Sequence, residues 1–346
     1  MRKSITDLAS VTTIGLDLAK HVFQVHGIDA SGQIVVVKAL KRDKLLTFFA
    51  SIGPCLVGLE ACGSAHHWAR ELIKLGHDAR MMPPAYVKPY VRRHKNDAAD
   101  AAAICEAVTR PSMRFVSPRS VENQAELMRH KAREMLVSQR TQLLNGLRGH
   151  LGEVGVIAPQ GPTHARELAG LIEACDERIP LEVCAALAEL VHQLHRLDEA
   201  VDRLDKTIAK AAQADATACR LMTIPGIGPV TASAILASVP DVSGFEGPRE
   251  FAAFLGLTPR QHSSGGKERL GRISKMGNRY LRKLLVVGAH AVLFHRKPHT
   301  DALRMWAKKL IEKKPFKLVA VALANKLARI VFAILKAETS YRKMPA

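Results

Sequence analysis

Two short apolar segments near the start of the chain each carry a carboxylate. The run Ile-Gly-Leu-Asp-Leu-Ala at 14–19 holds Asp17, and the run Cys-Leu-Val-Gly-Leu-Glu at 55–60 ends on Glu60. Apolar runs of this length read as buried strands. A charge inside one is costly unless it is paired or binds a metal. The fold must therefore either pair these acids with cations or gather them into a site. A second pair of acids stands in Asn-Asp-Ala-Ala-Asp at 96–100, where Asp97 and Asp100 share one face of a helix. These two also fit a plainer role, as first-turn acids that offset the helix dipole behind an Asn96 cap.

The order of elements around these acids decides between the readings. Residues 13–18, 22–28 and 34–40 read as three strands of an antiparallel meander, with a turn at Asp29-Ala-Ser-Gly. Residues 43–51 read as a helix, 55–60 as a strand, and 64–75 as a helix with Ser64 as its cap. A fifth strand at 78–82 and a helix at 96–109 follow. Three strands followed by alternating helix and strand resemble a ribonuclease-H-like α/β domain, here over 10–115. Such a sheet sets the ends of its first and fourth strands side by side, with the last helix across them. Asp17, Glu60, Asp97 and Asp100 would then meet. Four carboxylates repel one another unless divalent cations lie between them, and an all-oxygen ligand set selects Mg²⁺ or Mn²⁺. Two such ions can polarise a phosphodiester.

Other metals find little support. The six cysteines are scattered, with no Cys-x-x-Cys pair, which fits neither a zinc site nor a disulfide framework and suits a reducing cytoplasm. His66 and His67 are adjacent, so a helix points them in different directions.

The rest of the chain reads as helical. Residues 117–149 form a long polar helix, a break follows at 152–162, and a second helix carries Leu187, Leu190, Leu194, Leu197, Val201, Leu204 and Ile208. Their alternating spacing of three and four is a heptad seam. Its partner is either the preceding helix of the same chain or the same helix of another subunit, and the narrow stripe favours the latter. At 222–239 the sequence Ile-Pro-Gly-Ile-Gly-Pro-Val-Thr-Ala resembles a helix–hairpin–helix, with Gly226 and Gly228 allowing backbone N–H groups to face a phosphate. An ordinary turn between helices fits the same residues. A short helix is expected near 251–257, and amphipathic helices at 278–294 and 317–336. Lysines 308, 309, 313, 314 and 317 form a further basic stretch.

Residues 257–283 hold Ser263, Ser264, Gly265 and Gly266, then Lys267, Arg269, Arg272, Lys275, Arg279, Arg282 and Lys283, with Glu268 the one acid. Glycines let the backbone approach a phosphate, and guanidinium and ammonium groups stabilise charge in phosphoryl transfer. The stretch equally fits a solvated basic loop that only grips nucleic acid. The whole chain carries 51 Lys plus Arg against 32 Asp plus Glu, a net charge of +19, which points to nucleic acid as partner. Membrane binding is not expected. Apolar runs such as 318–324 are too short to cross a bilayer.

The ordered set IGLDLAK, LEACG, KNDAADAAAI, IPGIGPVTA, FLGLTPR, SSGG and GRISKMGNRYLR resembles the DEDD-type insertion-sequence transposases of the IS110 family, over nearly the whole chain. Cys62-Gly63 stands where Thr-Gly or Ser-Gly is more usual. The resemblance implies a RuvC-like domain at 10–115 with Asp17, Glu60, Asp97 and Asp100 as metal-binding tetrad, a coiled coil at 117–215 through which subunits associate as a dimer or tetramer, and a helical transposase domain at 217–340. It implies a serine nucleophile directly before a glycine, which selects Ser264 over Ser263. The two domains would meet in a composite site. It further implies a bridge RNA that guides the choice of donor and target DNA, and work in the cytoplasm on the bacterial nucleoid. A metal-dependent Holliday-junction nuclease would need the acids but not Ser264, and a simple DNA-binding protein would need neither.

Overall fold

The computed structural model describes residues 8–91, 96–159, 161–267, 269–294 and 301–342. The chain divides into two compact units, Met1–Ser120 and Val121–Ala346.

The first unit is a five-stranded mixed sheet flanked by helices. Its elements are β1 (Thr13–Asp17), β2 (Val22–Ile28), β3 (Ile34–Lys41), α1 (Leu45–Ala50), β4 (Leu56–Glu60), α2 (Ala65–Lys74), β5 (Asp78–Met82), α3 (Pro84–Val87) and α4 (Asp97–Val108). The strand order is β3-β2-β1-β4-β5, with β1 antiparallel to β2 and parallel to β4, and β4 parallel to β5. The β2–β3 turn forms as expected: the Asp29 carboxylate accepts from the N–H groups of Ser31 and Gln33 at 2.8 and 2.9 Å. Alternation sets the layers. Ile14 and Leu16 face one side and pack with Phe49, Trp68 and Leu72 of α1 and α2. Gly15 and Asp17 face the other, where α4 lies. Ser64 occupies the cap position of α2, but its side chain accepts no capping hydrogen bond.

The second unit is helical. The long helices α5 (Val121–Glu153) and α7 (Leu181–Ala214) pack on each other, with α6 (Pro162–Glu173) against both. The heptad seam is occupied inside the chain. Leu187, Leu194, Leu197, Val201 and Ile208 are buried against same-chain helices, Leu187 and Leu194 sharing a core with Leu144, Leu147 and Leu151 of α5. This corrects the expectation of a second subunit's helix on that seam. The stripe is also wider than the heptad, because Cys184, Val191 and Ala212 are buried with it.

Beyond α7 come α8 (Ala216–Met222), α9 (Pro229–Ser238), α10 (Pro248–Phe254), a hairpin of β6 (Pro259–Gln261) and β7 (Leu270–Ile273), then α11 (Arg279–Phe294), α12 (Ala302–Ile311) and α13 (Phe316–Ala337). These helices enclose one core around Phe251, Leu285, Leu323 and Leu327. By length and composition α13 could cross a membrane, with a 22-residue span, so the apolar run is longer than the sequence reading took it to be. Its Val319, Leu323, Leu327 and Val331 are fully buried, and the core of this unit accounts for its apolarity.

Candidate acidic centre and basic hairpin

The acidic centre is built by α4 crossing the sheet closely. Two strands carry the same short pattern, Gly15-Leu16-Asp17 on β1 and Gly58-Leu59-Glu60 on β4, and pairing in register sets Gly15 beside Gly58 and Leu16 beside Leu59. The next step brings Asp17 level with Glu60. A Cβ on Gly15 would stand closer than 3.0 Å to the Ala101 carbonyl oxygen and the Cys105 amide nitrogen of α4, and one on Gly58 would stand 2.8 Å from Val108 Cβ. The two glycines therefore let the helix lie directly on the strands, and its first turn reaches the end of β1. The Asn96 side chain caps that turn, accepting from Ala99 N–H at 2.7 Å.

Carboxylate oxygens of Asp17, Asp97 and Asp100 come within 4.8 Å of one another. Glu60 stands outside that group of three but close enough to act on Asp17. Asp17 is half-buried, and burial, then the charges of Asp100, Asp97 and Glu60, push its pKa up to about 6, against a weaker pull from the Leu18 N–H. Every charged group acting on it is negative. Such a set fits a hard divalent cation: the donors are all oxygen, and the repulsion among them is what a cation would relieve.

The serines lie on the β6–β7 hairpin of the second unit. Ser264 and Lys267 bridge across Gly265 and Gly266, whose φ values of +56 and +76 make the tight turn that glycine permits. The described hairpin residues from 261 to 270 are exposed. The two serines differ: Ser263 Oγ accepts from the Arg269 backbone N–H at 3.2 Å, whereas Ser264 stands at the turn itself. Lys267, Arg269, Arg272, Lys275 and Arg279 are all exposed here. Arg282 departs from the expectation of a nucleic-acid contact, since its Nη1 donates to the carbonyls of Leu255 and Met276 at 2.9 and 3.0 Å and so ties the loop after β7 to the end of α10.

The glycines of the α8–α9 turn also separate. Gly226, at φ +86, packs against Gly288 of α11 so closely that a Cβ on either would meet the other's backbone oxygen, which makes it a packing residue. Gly228 is exposed, stands at the cap position of α9, and has open space around it.

Sequence reasoning missed a buried polar relay behind this surface. His130 of α5 is fully buried, with Nδ1 3.2 Å from Tyr280 Oη and Nε2 2.9 Å from Ser233 Oγ. Ser233 Oγ donates to Glu126 at 2.8 Å. One set of protons satisfies all three: Tyr280 O–H donates to Nδ1, and Nε2–H donates to Ser233. Burial holds the His130 pKa below the ordinary value, in keeping with that neutral ring, and pushes Tyr280 up to about 12. Arg133 pairs with Asp205 beside it. The relay joins α5, α9 and the first turn of α11, where Arg279 stands. The sequence signal was a histidine on a polar helix, which reads as surface. Ser233→Ala should lower stability by about 1–3 kcal/mol, the cost of leaving buried partners unsatisfied, as read by chemical denaturation.

A family model described as Transposase matches residues 14–155, and one described as Transposase IS116/IS110/IS902 family matches residues 218–304. The chain is 48% identical to a probable family 20 transposase of Pseudomonas aeruginosa, over 96% of this chain and 99% of that one. It is 41% identical to the transposase for insertion sequence element IS1111A of Coxiella burnetii, over 99% and 93% of the two chains. The chain belongs to the IS116/IS110/IS902 transposase family. A third relative, the transposase for insertion sequence element IS1328 of Yersinia enterocolitica, is 37% identical over 97% of this chain. The first matched segment of this transposase contains all four acids, and the second contains the α8–α9 turn, the hairpin and α11.

Proposed function

We propose that this transposase cuts and rejoins DNA through a phosphoserine intermediate on Ser264, with Asp17, Asp97 and Asp100 holding a divalent cation and Glu60 completing the set. The observation that carries the reading is the acidic cluster itself, three carboxylates within 4.8 Å on a strand end and a helix first turn. The strand order β3-β2-β1-β4-β5, with α4 across β1 and β4, supports a RuvC-like domain. A bound Mg²⁺ or Mn²⁺ would supply charge stabilisation at the phosphoryl oxygens. Asp17 would hold such an ion from the sheet, and Asp97 and Asp100 from the helix.

In the covalent step Ser264 Oγ bonds to phosphorus as the bond from phosphorus to one DNA oxygen breaks. The hydroxyl proton leaves to solvent, and the departing DNA oxygen takes one up. A phosphodiester is exchanged for a phosphodiester, so rejoining to a second DNA hydroxyl needs no nucleotide cofactor. The exposed turn with positive φ at Gly265 and Gly266 supports Ser264 as the serine a phosphate can reach, and the tie from Ser263 to the Arg269 backbone supports the choice between them. Lys267, Arg269 and Arg272 line that approach. In this reading the sites are chosen by pairing with a bridge RNA, and the excess of cations serves RNA and DNA together.

The test is a denaturing gel of the protein incubated with its element's flanking DNA and Mg²⁺. Wild type and Ser263→Ala should give a protein–DNA adduct, and Ser264→Ala and Asp17→Ala should give none. DNA cleaved without adduct by Ser264→Ala would overturn the phosphoserine and leave a RuvC-like nuclease. Sequencing of RNA that co-purifies with the wild type tests the guide.

A further inference from the structure

The outer face of α11 is one exposed stripe. Arg279, Lys283, Val287, Ala291 and Phe294 recur at helical spacing, and all five are exposed. The far end is chemically distinct. Phe294 is 70% exposed. Its ring centre lies 5.2 Å from that of Phe316, the half-buried first residue of α13, which lies 5.2 Å from His290. Lys313 and Lys314 in the preceding turn and Lys317 in the first turn of α13 flank Phe316 along the chain, all exposed. Lys317 opposes the dipole of a 22-residue helix, so the helix gains nothing from its charge. Among the described residues none of the three lysines is ion-paired to a carboxylate.

We propose that this corner is a stacking platform for single-stranded DNA, with a base on the Phe294 ring and phosphates on Lys313, Lys314 and Lys317. The charge selects a polyanion, and the bare aromatic face selects among polyanions. A duplex keeps its bases stacked on one another and offers Phe294 nothing, whereas a single strand offers a π-face at every nucleotide, whatever its sequence. Lysine rather than arginine fits contact with backbone phosphates as point charges. DNA is the strand that the proposed function cuts and rejoins, and it rather than the guide RNA is assigned to this corner. The stripe also gives the strand a path: α11 has 16 residues, about 24 Å at the helical rise, and Arg279 and Lys283 at its other end follow the hairpin.

The experiment is fluorescence anisotropy of the full-length protein with labelled oligothymidine, a duplex of equal length and oligouridine, across a salt series. Phe294→Ala should weaken oligothymidine binding by about tenfold and leave the duplex unchanged. Phe294→Trp should bind as wild type, and Phe294→Leu as weakly as the alanine variant. Replacing Lys313, Lys314 and Lys317 together by Gln should flatten the slope of log affinity against log salt by about 2 on the single strand. The lysine variant alters no packed side chain and carries the test should the ring variant melt early. Wild-type binding by Phe294→Leu would point to an apolar protein contact and overturn the platform. So would equal weakening on the duplex, or a greater loss on oligouridine than on oligothymidine. Binding is read without cleavage, so the outcome is independent of the acidic centre and of Ser264.

Discussion

Asp17→Asn should stabilise the metal-free protein while lowering strand cleavage by at least about a hundredfold, beyond what the loss of a residue supporting a metal ligand costs. The two effects have one cause. An unfolded aspartate titrates at 3.8, and in the folded protein Asp17 titrates at about 6. Between those values the folded state holds a proton that the unfolded state has lost. Wild-type stability therefore falls as pH rises from about 4 to 6 and stays lower above. The shift, discounted for partial contact with water, corresponds to about 1–3 kcal/mol at pH 8. The Asn variant lacks this penalty, so its advantage in melting temperature should be full at pH 8, shrink below pH 6, and vanish near pH 4. Added Mn²⁺ should raise the melting temperature of wild type more than that of the variant. Equal melting curves at pH 8, or an equal response to Mn²⁺, would show that Asp17 is not held against its neighbours' charges.

That acids would gather here was legible in the sequence, because a carboxylate in an apolar strand has few stable environments. The strands themselves followed from runs of β-formers between turn residues. What the sequence reading did not extract was how the helix reaches the sheet. Gly15 and Gly58 read as weak points in two strands, since glycine packs nothing and lacks strand propensity. Their purpose exists only once α4 lies on them. The repeat of Gly-Leu-acid on both strands was the available signal.

The helical half was legible in its periods and less so in its partners. A heptad seam records that a face is buried, but the same seven residues suit a helix of this chain or of another, and the choice depends on how the connections on either side of α6 fold α5, α6 and α7 together. The Ser-Gly hairpin hid because β6 and β7 are only three and four residues long and exposed over nearly all of that length, so no apolar alternation marks them. Arg282 and Gly226 read like their neighbours, as charge and as turn. Only the fold gives one a pair of carbonyls and the other a glycine on the facing helix.

Gly15→Ala should cost the first unit more than its single methyl group suggests, about 3 kcal/mol or more, at or above the upper range of overpacking. The atoms a Cβ would meet are the Ala101 carbonyl oxygen and the Cys105 amide nitrogen, which belong to the hydrogen-bonded backbone of α4 and cannot rotate aside. The helix must lift. Gly58→Ala is the informative comparison, because its nearest neighbours are side-chain atoms of Val108 and Ile104; these can give, and a loss of about 1–3 kcal/mol is expected. Gly53→Ala and Gly63→Ala, where a Cβ meets open space, should be near neutral. The decisive readout is the coupling of packing to chemistry. Lifting α4 carries Asp97 and Asp100 away from Asp17, so Gly15→Ala should lose Mn²⁺-dependent stabilisation and strand cleavage even at a temperature where circular dichroism shows it folded. A folded Gly15→Ala protein with undiminished cleavage would mean that the close approach of helix to sheet serves packing alone, and that the acids act without being held together by it.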